Sequence, residues 1–315
     1  MREAIILLNM GGPNNLDEVE LFLYNMFTDK NIITTKSAPL RRFIATMITF
    51  FRTESAQEVY IKLGGKSPIV ELTQKLVAAL GERLDGVYID FAMRYTPPFS
   101  DEVIERLIEK RIEKIYLIPL YPQYSSTTTK SSLEDFEVKL HDSRCDAILT
   151  ELQNFYKNER YNEAILERIE AAMAGAAYEE FELIFSAHGL PQKIVDSGDP
   201  YEMQIEEHTA LLQKMLQARN IDFADVHLAY QSKVGPMRWL EPSLETRLGK
   251  VRTKKVLIYP IAFIVDNSET LFELDIEYRE IAEEKGITEY RVARCVSTSE
   301  RFVDALVELY EKMRS

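Results

Sequence analysis

The sequence has 315 residues, enough for two domains at roughly 150 residues each. Its 38 Lys and Arg against 51 Asp and Glu leave a formal charge of −13, which argues against a general nucleic-acid binder, because phosphate contacts require a basic face. A hydrophobic content of 46% and a charged content of 28% exclude a disordered chain, and two isolated cysteines, Cys145 and Cys295, exclude a disulfide framework, a CxxC zinc site and an iron–sulfur cluster built by this chain alone.

In chain order, short apolar runs alternate with longer amphipathic ones, the pattern of an α/β protein. Strands are predicted over residues 4–9, 87–93, 114–119 and 147–150, and again over 181–186, 226–230, 255–260 and 290–294. Helices are predicted over 16–27, 69–84, 101–110, 158–174, 200–219, 268–285 and 299–313. The strands are β-branched and do not alternate, which fits parallel sheets covered on both faces. The expected fold is therefore a pair of Rossmann-like, doubly wound domains with four parallel strands each. The first spans 1–150, the second 151–298, and the last helix, within 299–315, is expected to return to the first domain. The apolar run 4–8 is too short for a signal peptide, and 43–51 falls well short of the roughly 20 residues of a membrane-spanning helix. A cytoplasmic protein is expected.

Most strands end in loops rich in Gly, Pro and polar residues. Examples are Asn9-Met10-Gly11-Gly12-Pro13, Ser186-Ala187-His188-Gly189-Leu190-Pro191 and Gln231-Ser232-Lys233. Ligands of open parallel sheets bind beyond the carboxyl ends of the strands, so a cleft at this edge, between the two domains, is the expected site. Neither glycine motif is a nucleotide signature. Asn9-Met10-Gly11-Gly12-Pro13 lacks the G-x-G-x-x-G spacing, and Gly64-Gly65-Lys66-Ser67 has Tyr60 where a P-loop needs its first glycine.

Of the four histidines, His141 and His208 lie in polar surroundings and are expected to be exposed, while His227 fits a satisfied strand residue. His188 ends an apolar run and enters a Gly-Pro turn. A strand-end histidine in a cleft is a general-base candidate, because imidazole titrates near neutral pH; a structural turn residue is the alternative. Glu269, Glu273 and Glu277 recur at i, i+4 and i+8, which places three carboxylates on one helix stripe. Such a row is either a solvated face or a set of hard oxygen ligands that holds or relays a divalent cation. The segment 40–52 is apolar with arginines at both ends. It is either a buried helix or an exposed lip that holds a flat apolar ligand or rests on an anionic membrane surface. Trp239 is a pocket wall or a loop anchor.

In this order the loops resemble those of the ferrochelatases, enzymes that insert ferrous iron into a porphyrin. The stretches are Leu8-Asn9-Met10-Gly11-Gly12-Pro13, Gly64-Gly65-Lys66-Ser67-Pro68, Tyr121-Pro122-Gln123-Tyr124-Ser125, Phe185 to Pro191, Tyr230 to Met237, and Pro260 through Glu269 to Tyr278. The resemblance spans nearly the whole chain. It implies a chelatase-type fold, His188 and Glu269 as catalytic residues, and His188, Glu269, Glu273 and Glu277 as metal-binding residues, with Glu273 and Glu277 on an acidic row that conducts metal or protons. It also implies porphyrin contacts from Met10, Arg52, Tyr60, Ser67, Arg94, Tyr95, Trp239 and Phe263.

The implied function is formation of protohaem from protoporphyrin IX, the last step of haem biosynthesis, with porphyrin and ferrous iron as partners. Met10-Gly11-Gly12 resembles the protoporphyrin enzymes more than those acting on coproporphyrin III. No cofactor is required, and no cysteine cluster for an iron–sulfur centre follows the last helix. Peripheral membrane contact is expected through 40–52. One departure stands out: the family often has a histidine two residues before the catalytic glutamate, and this chain has Asn267. The expected mechanism puts His188 on one face of the porphyrin and Glu269 across from it. A non-catalytic tetrapyrrole carrier would lack the need for this pair. A sirohydrochlorin-type chelatase, whose substrate carries many more carboxylates, fits the apolar segment 40–52 poorly.

Overall fold

The computed structural model describes residues 1–233, 235 and 237–315; Val234 and Pro236, two positions of the motif that begins at Tyr230, lie outside the described residues. The chain divides into two compact units, Met1–Asn154 with Val303–Ser315, and Phe155–Phe302.

The first unit is built on strands β1 (Glu3–Asn9), β2 (Tyr88–Met93), β3 (Lys114–Pro119) and β4 (Ile148–Glu151), all parallel, in the order β2-β1-β3-β4. The second repeats the plan with β5 (Glu182–His188), β6 (Asp225–Gln231), β7 (Lys255–Pro260) and β8 (Glu289–Val292), in the order β6-β5-β7-β8. The expected pair of parallel four-stranded sheets is therefore present. Central strands covered on both faces need consecutive apolar residues. Ile5, Ile6 and Leu7 in β1 and Leu183, Ile184 and Phe185 in β5 are all fully buried. One core joins Ile6, Leu8 and Leu117 to Val103, Leu107 and Phe136; another joins Ile184, Val256 and Ile258 to Leu244, Leu274 and Ala282.

This strand order fixes where a ligand can sit. The connections turn opposite ways on leaving β1 and β3, and likewise β5 and β7. The carboxyl ends of those two pairs are the topological switch points. In the second unit these ends are His188 and Pro260.

Three helical features differ from the sequence expectation. Helix α2 (Ala38–Lys62), which follows α1 (Glu18–Thr28), runs through and beyond the apolar segment 40–52. Ser37 Oγ accepts from Leu40 N at its start, and Pro39 sits in its first turn, where it has no hydrogen bond to lose. It buries Ala45, Thr49 and Tyr60 but leaves Phe43, Phe50 and Phe51 64%, 76% and 70% exposed, so it is not the buried helix.

A helix at Ser131–Asp142 follows a π-helical turn at Ser126–Lys130. The run of Ser and Thr before it reads as a loop, because such side chains compete for backbone hydrogen bonds. The predicted helix 268–285 divides into a π-helical segment, Glu269–Glu277, and an α-helix, Tyr278–Glu284. π-Helical turns are rare and concentrate at functional sites.

His208 corrects an expectation. It is fully buried, with Nε2 2.7 Å from Asn162 Oδ1, and burial pushes its imidazole down to about 3. The polar residues around it in sequence face solvent from other sides of the helix Tyr201–Ala218, which turns His208 inward beside Tyr156 and Tyr161. His141 is exposed, and His227 bonds Glu182 Oε2 at 2.9 Å.

Candidate active site

The switch point of the second sheet brings His188 and Glu269 together. His188 closes β5, paired in register with Gln231 at the end of β6. Glu269 opens the π-helical segment, nine residues after β7 ends at Pro260. His188 Nδ1 lies 2.7 Å from Glu269 Oε2. A carboxylate can only accept, so Nδ1–H donates, and Nε2 is left for an external proton. The two side chains are 37% and 24% exposed. Burial alone would push the imidazole down. The charge and hydrogen bond of Glu269, with the charge of Glu273 behind it, outweigh burial and raise it to about 8.

This contact corrects the opposed arrangement expected from sequence. A macrocycle between the two groups would need one van der Waals contact on each side, about 7 Å in all at about 3.5 Å per contact. At 2.7 Å nothing fits between them. His188 and Glu269 form one contiguous pair.

The backbone around the pair is tightly specified. Gly189 N donates to Gln231 O at 2.9 Å, and a Cβ on Gly189 would stand 2.7 Å from that same oxygen, so only glycine fits after His188. Tyr201 Oη donates to His188 O at 3.0 Å. At the other partner, Asn267 Oδ1 accepts from Glu269 N at 2.8 Å and Thr270 N at 3.3 Å, while Thr270 Oγ1 accepts from Asn267 N at 3.0 Å. This reciprocal cap fixes the first turn and so the Glu269 side chain. Asn267 thus serves as a cap.

The second carboxylate, Glu273, lies behind the first. Its Oε2 accepts from Ser232 Oγ at 2.6 Å and Gln231 Nε2 at 3.3 Å. Burial, then the charge of Glu269, push Glu273 up to about 7, although its hydrogen bonds and His188 pull the other way. Glu277 is exposed at the far end of the segment. Among the described residues, no three His, Cys, Asp or Glu side chains form a ready metal-holding group.

The remaining expected site residues divide between the units. In the second, Trp239 pairs with Pro191 across an antiparallel bridge, which ties its loop to the His188 turn, and Phe263 is partly buried just after β7. In the first, Met10 is partly buried against a cluster with Val19, Phe22, Tyr60 and Tyr95. Tyr60, Ser67 and Tyr95 are buried, and Arg52 is exposed. Arg94 is already engaged: it lies 3.2 Å from Asp29 Oδ2, 3.4 Å from Asp135 Oδ1 and 3.0 Å from Ser131 Oγ. Tyr95 Oη donates to the same Asp29 at 2.9 Å. Sequence reasoning did not single out Ser186, Tyr201, Gln231 or Ser232. The available signal was a polar Gln231-Ser232 pair ending an apolar strand beside the one that ends in His188.

The family model for ferrochelatase matches residues 2–314. The ferrochelatase of Sulfurimonas denitrificans is 61% identical over 314 residues, covering 99% of both chains. That of Nitratiruptor sp. is 53% identical over 311 residues, covering 99% of this chain and all of the relative. Among solved structures, SirB from Bacillus subtilis with Fe3+ superposes with a TM-score of 0.61 at 12% identity, covering 99% of this chain and 96% of that one. CbiX, the terminal enzyme for biosynthesis of siroheme in denitrifying bacteria, does so at 0.57 and 10%, covering 98% of each. At such identities these two show the fold alone.

Proposed function

The chain belongs to the ferrochelatase family, enzymes of haem biosynthesis that insert iron into a porphyrin, and from that premise we propose that His188, oriented by Glu269, removes the pyrrole protons of protoporphyrin IX as ferrous iron enters, giving protohaem. The observation that carries this reading is the 2.7 Å contact that commits Nδ1 to the carboxylate, so that Nε2 is the nitrogen left to take a proton. In its neutral form the imidazole accepts a proton at Nε2, and the adjacent carboxylate stabilises the imidazolium that results. Two protons leave for each Fe2+ that enters and no electron is transferred, so the reaction as proposed needs no resident cofactor and no iron–sulfur cluster.

The ferrous ion is a substrate. The proposed path takes it along His188, Glu269, Glu273 and Glu277, whose hard oxygens bind a divalent cation without holding it tightly. Met10, Arg52, Trp239 and Phe263 keep some exposure and are proposed to touch the porphyrin. Tyr60, Ser67, Arg94 and Tyr95 are proposed to shape the porphyrin pocket without direct contact, since they are buried or already paired. The apolar Met10 beside Gly11-Gly12 supports protoporphyrin IX over coproporphyrin III. Anaerobic Fe2+ with each porphyrin tests this: faster metallation of protoporphyrin IX is expected, and a preference for coproporphyrin III would overturn the substrate assignment.

Among the described residues no helix is long and apolar enough to cross a membrane. Peripheral contact through 40–52 is proposed on two grounds. Leu40, Phe43, Met47, Phe50 and Phe51 form an exposed stripe on α2. Residues 30–53 hold Lys30, Lys36, Arg41, Arg42 and Arg52 and no acid, in a chain of net charge −13. Sedimentation with phosphatidylglycerol vesicles that Phe50→Glu with Phe51→Glu abolishes is expected; equal sedimentation of both proteins would contradict it.

A further inference from the structure

We propose that the cavity between the end of α1 and the start of α2 binds a phosphate monoester, the group that a lipid headgroup or a small soluble ligand presents. The cavity lies within the first unit and shares no residue with the site around His188 or with the proposed porphyrin contacts.

Tyr24 and Thr28 of α1 and Ala38, Arg41 and Arg42 of α2 line it, and its volume is about 430 Å³. That lies within the roughly 300–1,000 Å³ of small-molecule sites and is far more than a bare ion fills, since one water takes up about 30 Å³. The occupant therefore carries more than its phosphate.

Arg41 is preset for an anion. Its Nε donates to Thr28 O, the last carbonyl of α1, and its Nη1 donates to Thr35 O, both at 2.9 Å. These bonds fix the guanidinium at the cavity wall before a ligand arrives, which lowers the entropy lost on binding. They do not neutralise it. Carbonyls offer dipoles and no charge, and a partly buried cation without a counter-charge is costly. Among the described residues, neither Arg42 nor the Tyr24 hydroxyl bonds another side chain.

No acid competes for these groups from the same segment, because residues 30–53 contain none. Asp29, beside Thr28, is engaged inward. Its Oδ2 accepts from Tyr95 Oη at 2.9 Å and Arg94 Nη2 at 3.2 Å, and the residue is only 4% exposed.

The lining also selects among anions. A carboxylate has two oxygens in one plane and one charge, which a single guanidinium satisfies. A phosphate monoester brings three terminal oxygens and a charge of about −1.5 to −2 at pH 7, which suits two guanidinium groups and a phenol hydroxyl. Leu40 and Phe43, on either side of the two arginines in sequence, are exposed, so a lipid held by its phosphate would find apolar surface for its chains.

The test uses the full chain and sn-glycerol 3-phosphate as the soluble probe, with binding measured by calorimetry at fixed salt. Saturable one-to-one binding is expected. Arg42 is exposed, so Arg42→Gln folds; it should weaken binding by roughly 10-fold, and Tyr24→Phe by several-fold. Lys36→Gln removes an equal charge outside the lining and should leave binding within about twofold. Vesicle sedimentation separates the two sources. A preference for phosphatidic acid over the diester phosphatidylglycerol, kept in Lys36→Gln and lost in Arg42→Gln, assigns the phosphate to a lipid headgroup. Calorimetric binding without that preference assigns it to a soluble ester. Phe50→Glu with Phe51→Glu leaves the lining intact and should bind glycerol 3-phosphate as wild type does, so the site is read separately from membrane contact. No saturable binding of glycerol 3-phosphate or phosphatidic acid, or equal losses in Arg42→Gln and Lys36→Gln, would overturn the site.

Discussion

Nδ1 of His188 and Oε2 of Glu269, brought from the end of β5 and the start of the π-helical segment, stand 2.7 Å apart. The carboxylate therefore sets both the tautomer and the charge of the imidazole. Burial alone would lower the ring's titration, yet the charge and hydrogen bond of Glu269, with Glu273, raise it to about 8. Below that pH the ring holds a proton and cannot accept another, so kcat/KM for metallation should rise as pH rises through about 8. For stability the sign is opposite: a raised folded value contributes stability that is full below the ordinary value of 6.5 and is lost as pH rises through about 8. Glu269→Gln removes the larger of the two charges that hold the ring up and leaves only Glu273 against burial. The C2 proton of His188, followed by NMR, should then titrate well below 8. A ring that still titrates near 8 in that variant would refute the cause given.

His208 gives the acid limb of stability. Its folded value is lowered to about 3 from 6.5, so stability is full above 6.5 and declines as pH falls toward 3, because only the unfolded chain takes up the proton there. His208→Leu loses the bond to Asn162 and should be less stable at neutral pH, but its stability should change less between pH 7 and pH 5. Denaturant unfolding at both pH values measures this; equal acid sensitivity in the two proteins would contradict it.

Asn267 holds the first turn of the segment that carries Glu269. Asn267→Ala should cost about 1 kcal/mol of stability, as loss of a cap does, and should slow metallation because Glu269 loses its fixed backbone. Asn267→Ser keeps a capping oxygen and should recover most of both. Thermal unfolding and initial rates check the pair, and an alanine variant that matches wild type in both would remove the positioning role.

A site of one imidazole and carboxylates discriminates poorly between ferrous iron and zinc, which binds such ligands more tightly. Zinc should therefore enter protoporphyrin IX on this protein in vitro. The absorbance change from free base to metalloporphyrin reports it. Complete inactivity with zinc, where iron is inserted, would show a selectivity these side chains do not explain.

The sheets were legible in the sequence because buried parallel strands leave unbroken apolar runs: β3 and β7 coincide with the predicted 114–119 and 255–260. His188 stood out because a polar ring ends such a run at a Gly-Pro turn. Its relation to Glu269 was not legible, since 81 residues separate them and only the crossover from β7 sets their distance. The Ser186–Gln231–Glu273 contacts depend on strand register in the same way. The π-helical turns escaped because their apolar spacing does not differ enough from that of an α-helix over two turns. The inward turn of His208 escaped because its neighbours in sequence are polar.

The central claim, that His188 and Glu269 act together as one pair in metallation, is tested most directly by single-turnover metallation of protoporphyrin IX with anaerobic Fe2+, comparing His188→Ala, Glu269→Gln and the double variant, each shown to be folded. Each single change should slow the reaction by roughly 100- to 10,000-fold, and the double variant should be little slower than the worse single one, as expected for groups that work as a unit. Near-normal rates in both single variants, or losses that multiply in the double, would contradict it.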